Sequence, residues 1–406
     1  VRLPEALPTT LVISSTQPLD AVIADVDPTV AEISPDGALI TWMIPAQDRR
    51  AAQICVAGLS GNPRGCEAVP GFRGLPYRLV WSPDSAWIAF GEDSGAQSLE
   101  SDLWLMEVAT GEVVNRTEDG LAGRVAEVAQ AYDLDYLPMW DPATGYLYFL
   151  RSHIDAGEND LRLMRLDPDS PNAPEVAQFL NLVLGEAQVR FAWQRFYLQG
   201  PAAIAPDGSQ LAIVMAAAGE MDVATSQALW LIDLVDPTAA PQRLATALDW
   251  QTALPQWTSQ PAQARGLQWT ADGRGIVVAA LSNDLRLPLL LAYYVDVADG
   301  AVTPVLNFGG ETQRSAFFRP APSGAPPLRS YVPWTLALAP NANVLVLVTD
   351  LGGVVTLYGV PLPPTGMLPQ PLDQVVSPGY EVLTRSSGAR DGTLLVYGLV
   401  VNTAAP

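Results

Sequence analysis

The sequence predicts an all-β chain folded as a β-propeller of seven four-stranded blades, with six blades plus a C-terminal appendage as the alternative. Three observations predict it. A strand–turn–strand unit recurs seven times, a second hairpin follows most copies, and the strands are largely apolar on both faces. Strands without a polar side must be covered on two sides, which small sheets achieve by stacking radially.

The units run in order along the chain. They read EISPDGALITWMI from Glu32 to Ile44, VWSPDSAWIAFG from Val80 to Gly91, and MWDPATGYLYFL from Met139 to Leu150. AIAPDGSQLAIVM follows from Ala203 to Met215, QWTADGRGIVVAA from Gln268 to Ala280, and ALAPNANVLVLVT from Ala337 to Thr349. SGARDGTLLVYGLV, from Ser387 to Val400, is the weakest copy. The turns fall at Pro35, Pro83, Pro142, Pro206, Ala271, Pro340 and Arg390, separated by 48, 59, 64, 65, 69 and 50 residues. Pro presets φ, Asp hydrogen-bonds the turn backbone, and Gly accepts positive φ without a Cβ clash. Second hairpins such as DLWLMEVATGEVV (Asp102 to Val114) and ALWLIDLVDP (Ala228 to Pro237) complete four strands per unit.

These turns and the strands after them make the chain similar to TolB-type, WD-repeat-like propellers. The resemblance rests on SPDG at Ser34 to Gly37, SPDS at Ser82 to Ser85 and APDG at Ala205 to Gly208, and covers the chain from Glu32 onward. It implies the architecture, and a role in binding partner proteins.

The ends suggest how the ring closes. The seventh turn leaves room for only two strands, roughly Tyr380 to Arg385 and Thr393 to Val401, and the N-terminus offers two spare apolar runs, Leu11 to Ser14 and Ala21 to Asp25. Joining them would make a composite last blade without free edge strands. Residues 1–10 (VRLPEALPTT) read as a tether, and 11–406 as one propeller domain. Val1 in place of Met fits a removed export signal, and a lipid or membrane anchor ahead of it fits equally. No stretch reaches the roughly 18 uninterrupted apolar residues of a membrane span.

Cys55 and Cys66 fall in the second hairpin of the first unit, on strands expected to be neighbours. A disulfide there would fit an oxidising compartment, periplasm or cell surface. The spacing does not suit a zinc site.

The chain carries 43 acids and 22 bases, a net charge of −21, and every base is Arg. Such a field repels phosphates and argues against nucleic-acid binding. The sequence favours binding over catalysis. Its one histidine, His153, reads as an exposed loop residue in RSHIDAGEND, and no G-x-S-x-G elbow accompanies it. Asp155, Glu158, Asn159 and Asp160 lack EF-hand spacing and read as solvated loop acids. No metal site and no cofactor are expected.

The connections between units are different. Six windows totalling 111 residues hold ten Arg and nine acids, against 12 Arg and 34 acids elsewhere. They are also rich in aromatics. Arg190, Trp193, Arg195, Trp257, Arg314, Phe318, Arg319, Arg329 and Trp334 are the candidate binding face. Arg and Trp dominate interface hot spots, and Arg grips carboxylates bidentately. The expected function is a non-catalytic, extracytoplasmic protein-binding or scaffolding propeller in an envelope or surface complex. A glycan- or small-anion-binding propeller is the alternative, with a carboxylate-based lyase or glycosidase behind it.

Overall fold

The computed structural model describes residues 31–44, 52–58, 63–69, 75–93, 101–118, 131–155, 158–180, 187–188, 201–217, 226–236, 238–253, 262–281, 290–305, 335–339, 342–350, 354–365, 370–376, 380–388 and 394–402. The first sheet is β1 (Ala31–Ile33), β2 (Leu39–Ile44), β3 (Gln53–Gly58) and β4 (Pro63–Ala68). The second is β5 (Leu75–Trp81), β6 (Trp87–Asp93), β7 (Leu103–Glu107) and β8 (Val113–Asn115). The third is β9 (Tyr132–Trp140), β10 (Leu147–Asp155), β11 (Glu158–Leu166) and β12 (Glu175–Phe179). The fourth adds a two-residue β13 (Ala187–Gln188) to β14 (Ala202–Ile204), β15 (Gln210–Ala217), β16 (Ala228–Asp233) and β17 (Gln242–Thr246), with α1 (Ala247–Ala253) behind.

The fifth sheet is β18 (Gln263–Trp269), β19 (Gly275–Leu281), β20 (Leu290–Asp296) and β21 (Val302–Pro304). The sixth is β22 (Thr335–Leu338), β23 (Val344–Asp350), β24 (Val354–Pro361) and β25 (Gln370–Val376). A hairpin of β26 (Tyr380–Gly388) and β27 (Leu394–Asn402) follows. All pairings within these sheets are antiparallel.

Six full sheets fit six blades with a C-terminal addition better than seven complete blades. The chain after the sixth sheet supplies only one described hairpin, and a blade needs four strands. The apolar runs expected to complete it, Leu11 to Ser14 and Ala21 to Asp25, lie outside the described residues. The first strands stand beside one another in chain order, β1 by β5, β5 by β9, β9 by β14 and β14 by β18. The β26 backbone runs beside both β22 and β1.

The core is a set of layers between successive sheets. Val277 and Ala279 of β19 pack toward the sixth sheet with Leu345 and Leu347, whereas Ile276 and Val278 pack toward the fourth with Leu229 and Leu231. Alternate side chains of one strand thus feed two different layers, the reason these strands lack a polar face. Fully burying each of these Val, Ile and Leu side chains is worth about 1.5–3 kcal/mol.

The turns carry their own hydrogen bonds. Ser34, Ser82 and Thr270 donate to Asp36, Asp84 and Asp272 at 2.5, 2.6 and 2.7 Å. The same hydroxyls accept from the N–H groups of Leu39, Trp87 and Gly275 at 2.9, 2.8 and 3.0 Å. Ser85 takes the position of the turn Gly and adopts its positive φ of 62°. At Gly208 a Cβ would lie 2.4 Å from Oδ1 of Asp141 in the third sheet's turn, so successive turns pack too closely there for a side chain.

Candidate functional site

The nine Arg and aromatic candidates, Arg190, Trp193, Arg195, Trp257, Arg314, Phe318, Arg319, Arg329 and Trp334, all lie outside the described residues. The cysteines do come together. Cys55 and Cys66 are directly opposite in the β3–β4 register and form a disulfide, with Cα atoms 4.0 Å apart.

The described residues place a polar site between the second and third sheets, and it begins with a backbone irregularity. Leu137 adopts a φ of 57°, uncommon for a residue with a Cβ, and the β9–β10 register shifts by one residue there. Beyond the shift Arg151 faces Asp135 and His153 faces Asp133. Arg151 clamps Asp135 through Nε and Nη2 at 2.7 and 2.6 Å, while its Nη1 lies 3.0 Å from Asp133. His153 Nδ1 is 2.6 Å from the other Asp133 oxygen.

His153 is therefore a strand residue, partly buried in an acid–base network, and not an exposed loop residue. The RSHIDAGEND segment reads as a loop because it is polar. Arg151 and His153 find partners across the sheet, and β10 and β11 stay paired out to Asp155 and Glu158. Asp160 is likewise engaged, 2.7 Å from Arg162 Nε. Among the described residues no group of three or more His, Cys, Asp or Glu is arranged to hold a metal ion.

Asp135 is only 1% exposed. Burial pushes its carboxyl up to about 6, against the pull of Arg151 and a hydrogen bond with Thr117. The same residue stitches two blades together. Its N–H donates to the Ser101 carbonyl at 2.8 Å, and Ser101 Oγ donates back to the Asp135 carbonyl at 2.6 Å. Thr117 Oγ1 accepts from the Leu103 N–H at 2.9 Å, tying the network to β7.

This network floors a cleft of about 670 Å³. One wall is the end of β8, with Val114 and Arg116, and the other is the 171–174 segment, with Pro171 and Pro174. Arg116 fixes the opening by donating to the carbonyls of Asp167, Pro168 and Ser170. A second, smaller cleft of about 130 Å³ shares Val114 and Arg116 and adds Trp87, Glu107 and Glu112. The large cleft lies within the size range of small-ligand and peptide pockets. Nothing in the sequence pattern marks it, because its walls come from two sheets and its floor depends on the Leu137 shift.

No family model matches the chain, and no curated protein matches it. Several solved structures do. Hydrazine synthase from Kuenenia stuttgartiensis has a TM-score of 0.54 at 13% identity, over 95% of this chain and 99% of that one. Prolyl oligopeptidase B from Galerina marginata, bound to a 35mer substrate, has a TM-score of 0.51 at 13% identity, over 93% of this chain and 47% of that one. TolB from Acinetobacter baumannii has a TM-score of 0.43 at 14% identity, over 81% of this chain and 62% of that one. The chain therefore spans under two thirds of the TolB chain and about half of the oligopeptidase. The likeness to the hydrazine synthase and the oligopeptidase bears on fold alone, and with the strand order it fits the class of β-propellers.

Proposed function

We propose that the chain is a protein-binding propeller acting outside the cytoplasm, as a scaffold or accessory subunit of an envelope or surface complex. One observation carries the reading. Every one of the nine Arg and aromatic candidates falls in a connection from the last strand of one sheet to the first strand of the next. Three belong between β12 and β14, one between α1 and β18, and five between β21 and β22. In a ring of four-stranded meanders such connections leave and return on one face. A single face then concentrates the residue types that dominate protein interfaces.

The Cys55–Cys66 bond supports an oxidising compartment. Among the described residues no helix is long and apolar enough to cross a membrane. The same reading takes residues 11–406 as one propeller behind a tether at 1–10. It closes the ring by adding Leu11 to Ser14 and Ala21 to Asp25 to the β26–β27 hairpin.

Native purification followed by mass spectrometry tests the function. A stoichiometric partner surviving gel filtration, and lost from the Arg319→Ala, Arg329→Ala double variant, is the expected result. A bare monomer, or full partner recovery with the double variant, would sink it.

A further inference from the structure

The outer edge of the second sheet carries an inference that deepens this reading and rests on it. β8 ends the order β5-β6-β7-β8. Arg116 N–H donates to the Leu103 carbonyl, Glu107 N–H donates to the Glu112 carbonyl, and Val114 is registered with Leu105. Residues 112, 114 and 116 therefore turn their backbone groups inward to β7. By the antiparallel alternation, Val113 and Asn115 turn theirs outward, to the edge that opens on the two clefts. Val114, 39% exposed, lines both clefts.

The charges around this edge are mostly negative. The two clefts are lined by Glu107, Glu112, Glu118 and Asp133 against Arg116 and Arg151, and Arg151 is already paired with Asp133 and Asp135. Glu112 and Glu118 are exposed, and among the described residues no ion pair neutralises either of them. We propose that the β8 edge binds an extended basic peptide segment as an added strand. Its outward-facing amides pair with Val113 and Asn115. One apolar side chain lies against Val114 in the cleft, with Lys or Arg on either side toward Glu112 and Glu118.

The probe is a fluorescein-labelled peptide alternating lysine and threonine around a central valine, titrated by anisotropy against the full chain. Binding should weaken about tenfold in the Glu112→Gln, Glu118→Gln double variant and fall with added salt. A glutamate-for-lysine peptide should not bind. N-methylation of the alternate amides that would face β8 should abolish binding, and methylation of the intervening amides should not. Hydrogen exchange at Val113 and Asn115 should be fast in the free protein and slow with peptide.

Slow exchange in the free protein would mean the chain covers its own edge and would overturn the proposal. So would binding indifferent to N-methylation or to the double variant. If the Glu112→Gln, Glu118→Gln protein retains a co-purifying partner in full, and the peptide does not bind wild type, this inference falls while the protein-binding reading stands. If wild type brings down no partner, that reading itself falls.

Discussion

The Trp269 indole Nε1 donates a 2.9 Å hydrogen bond to the carbonyl of Ala203, in the first strand of the preceding blade. The relation repeats. Trp140 donates to Val80 at 3.1 Å and Trp81 to Glu32 at 3.3 Å. In each case the tryptophan sits immediately before its own turn, and the acceptor two residues before the first residue of the preceding turn. These bonds pin neighbouring first strands at a common height, a job that apolar layers cannot do because hydrophobic contact is not directional.

Replacing Trp269 by Phe keeps most of the buried ring and removes the donor, while the Ala203 carbonyl stays in the ladder opposite Ala212. The expected loss is about 0.5–1.5 kcal/mol, read as a lower urea midpoint. An unchanged midpoint would show that the bond contributes nothing to the junction.

Asp135 should make stability fall as pH rises. Its folded value of about 6 lies above the 3.8 of an unperturbed Asp, so between these values the native chain holds a proton that the unfolded chain has released. The contribution is fully present below the unfolded value and is lost as pH rises through the folded one, by up to about 3 kcal/mol. The stability difference between wild type and Asp135→Asn, measured from acidic to neutral pH, should shift against wild type across that window. A difference constant with pH would mean Arg151 holds the carboxyl at its ordinary value.

The Cys55–Cys66 bond closes a short loop, with the cysteines 11 residues apart in sequence. The double Ala variant should lose about 2–4 kcal/mol, and reductant should lower the wild-type melting temperature toward it. A reductant-insensitive wild type would contradict this.

Removing the residues after Pro378 takes away the hairpin that runs beside β22 and β1. If it helps close the ring, the melting temperature drops by several degrees and the truncated chain aggregates through its freed edges. An unchanged melting temperature would assign the hairpin to an appendage with no part in closure.

The turns were legible from the sequence residue by residue. In the five described turns the Asp does accept backbone N–H groups, as Ala38 at 3.0 Å from Asp36 and Ser209 at 3.0 Å from Asp207. The apolar strands between them were equally legible. The Cys55–Cys66 pair followed from their placement on one hairpin. The tryptophan ties left a trace that was present but unread, Trp before the turn in three units, since a donor alone does not reveal its acceptor 49 to 66 residues away.

The network at Asp133, Asp135, Arg151 and His153 was not legible, and Leu137 explains why. Counted outward from the turn without the register shift, Arg151 would face Tyr136 and Asp135 would face Ser152. A one-residue slip changes every cross-strand partner beyond it, and no local propensity announces a leucine at positive φ.

By itself the sequence determined the repeat, the two-faced strands, the turn chemistry and the disulfide, the last two set by interactions within a dozen residues of chain. Only the tertiary structure decided the tryptophan ties, the buried Asp135 and the cleft beside β8. Each of these is made where two sheets meet, so it depends on register and on which faces are brought together, quantities that no single segment encodes.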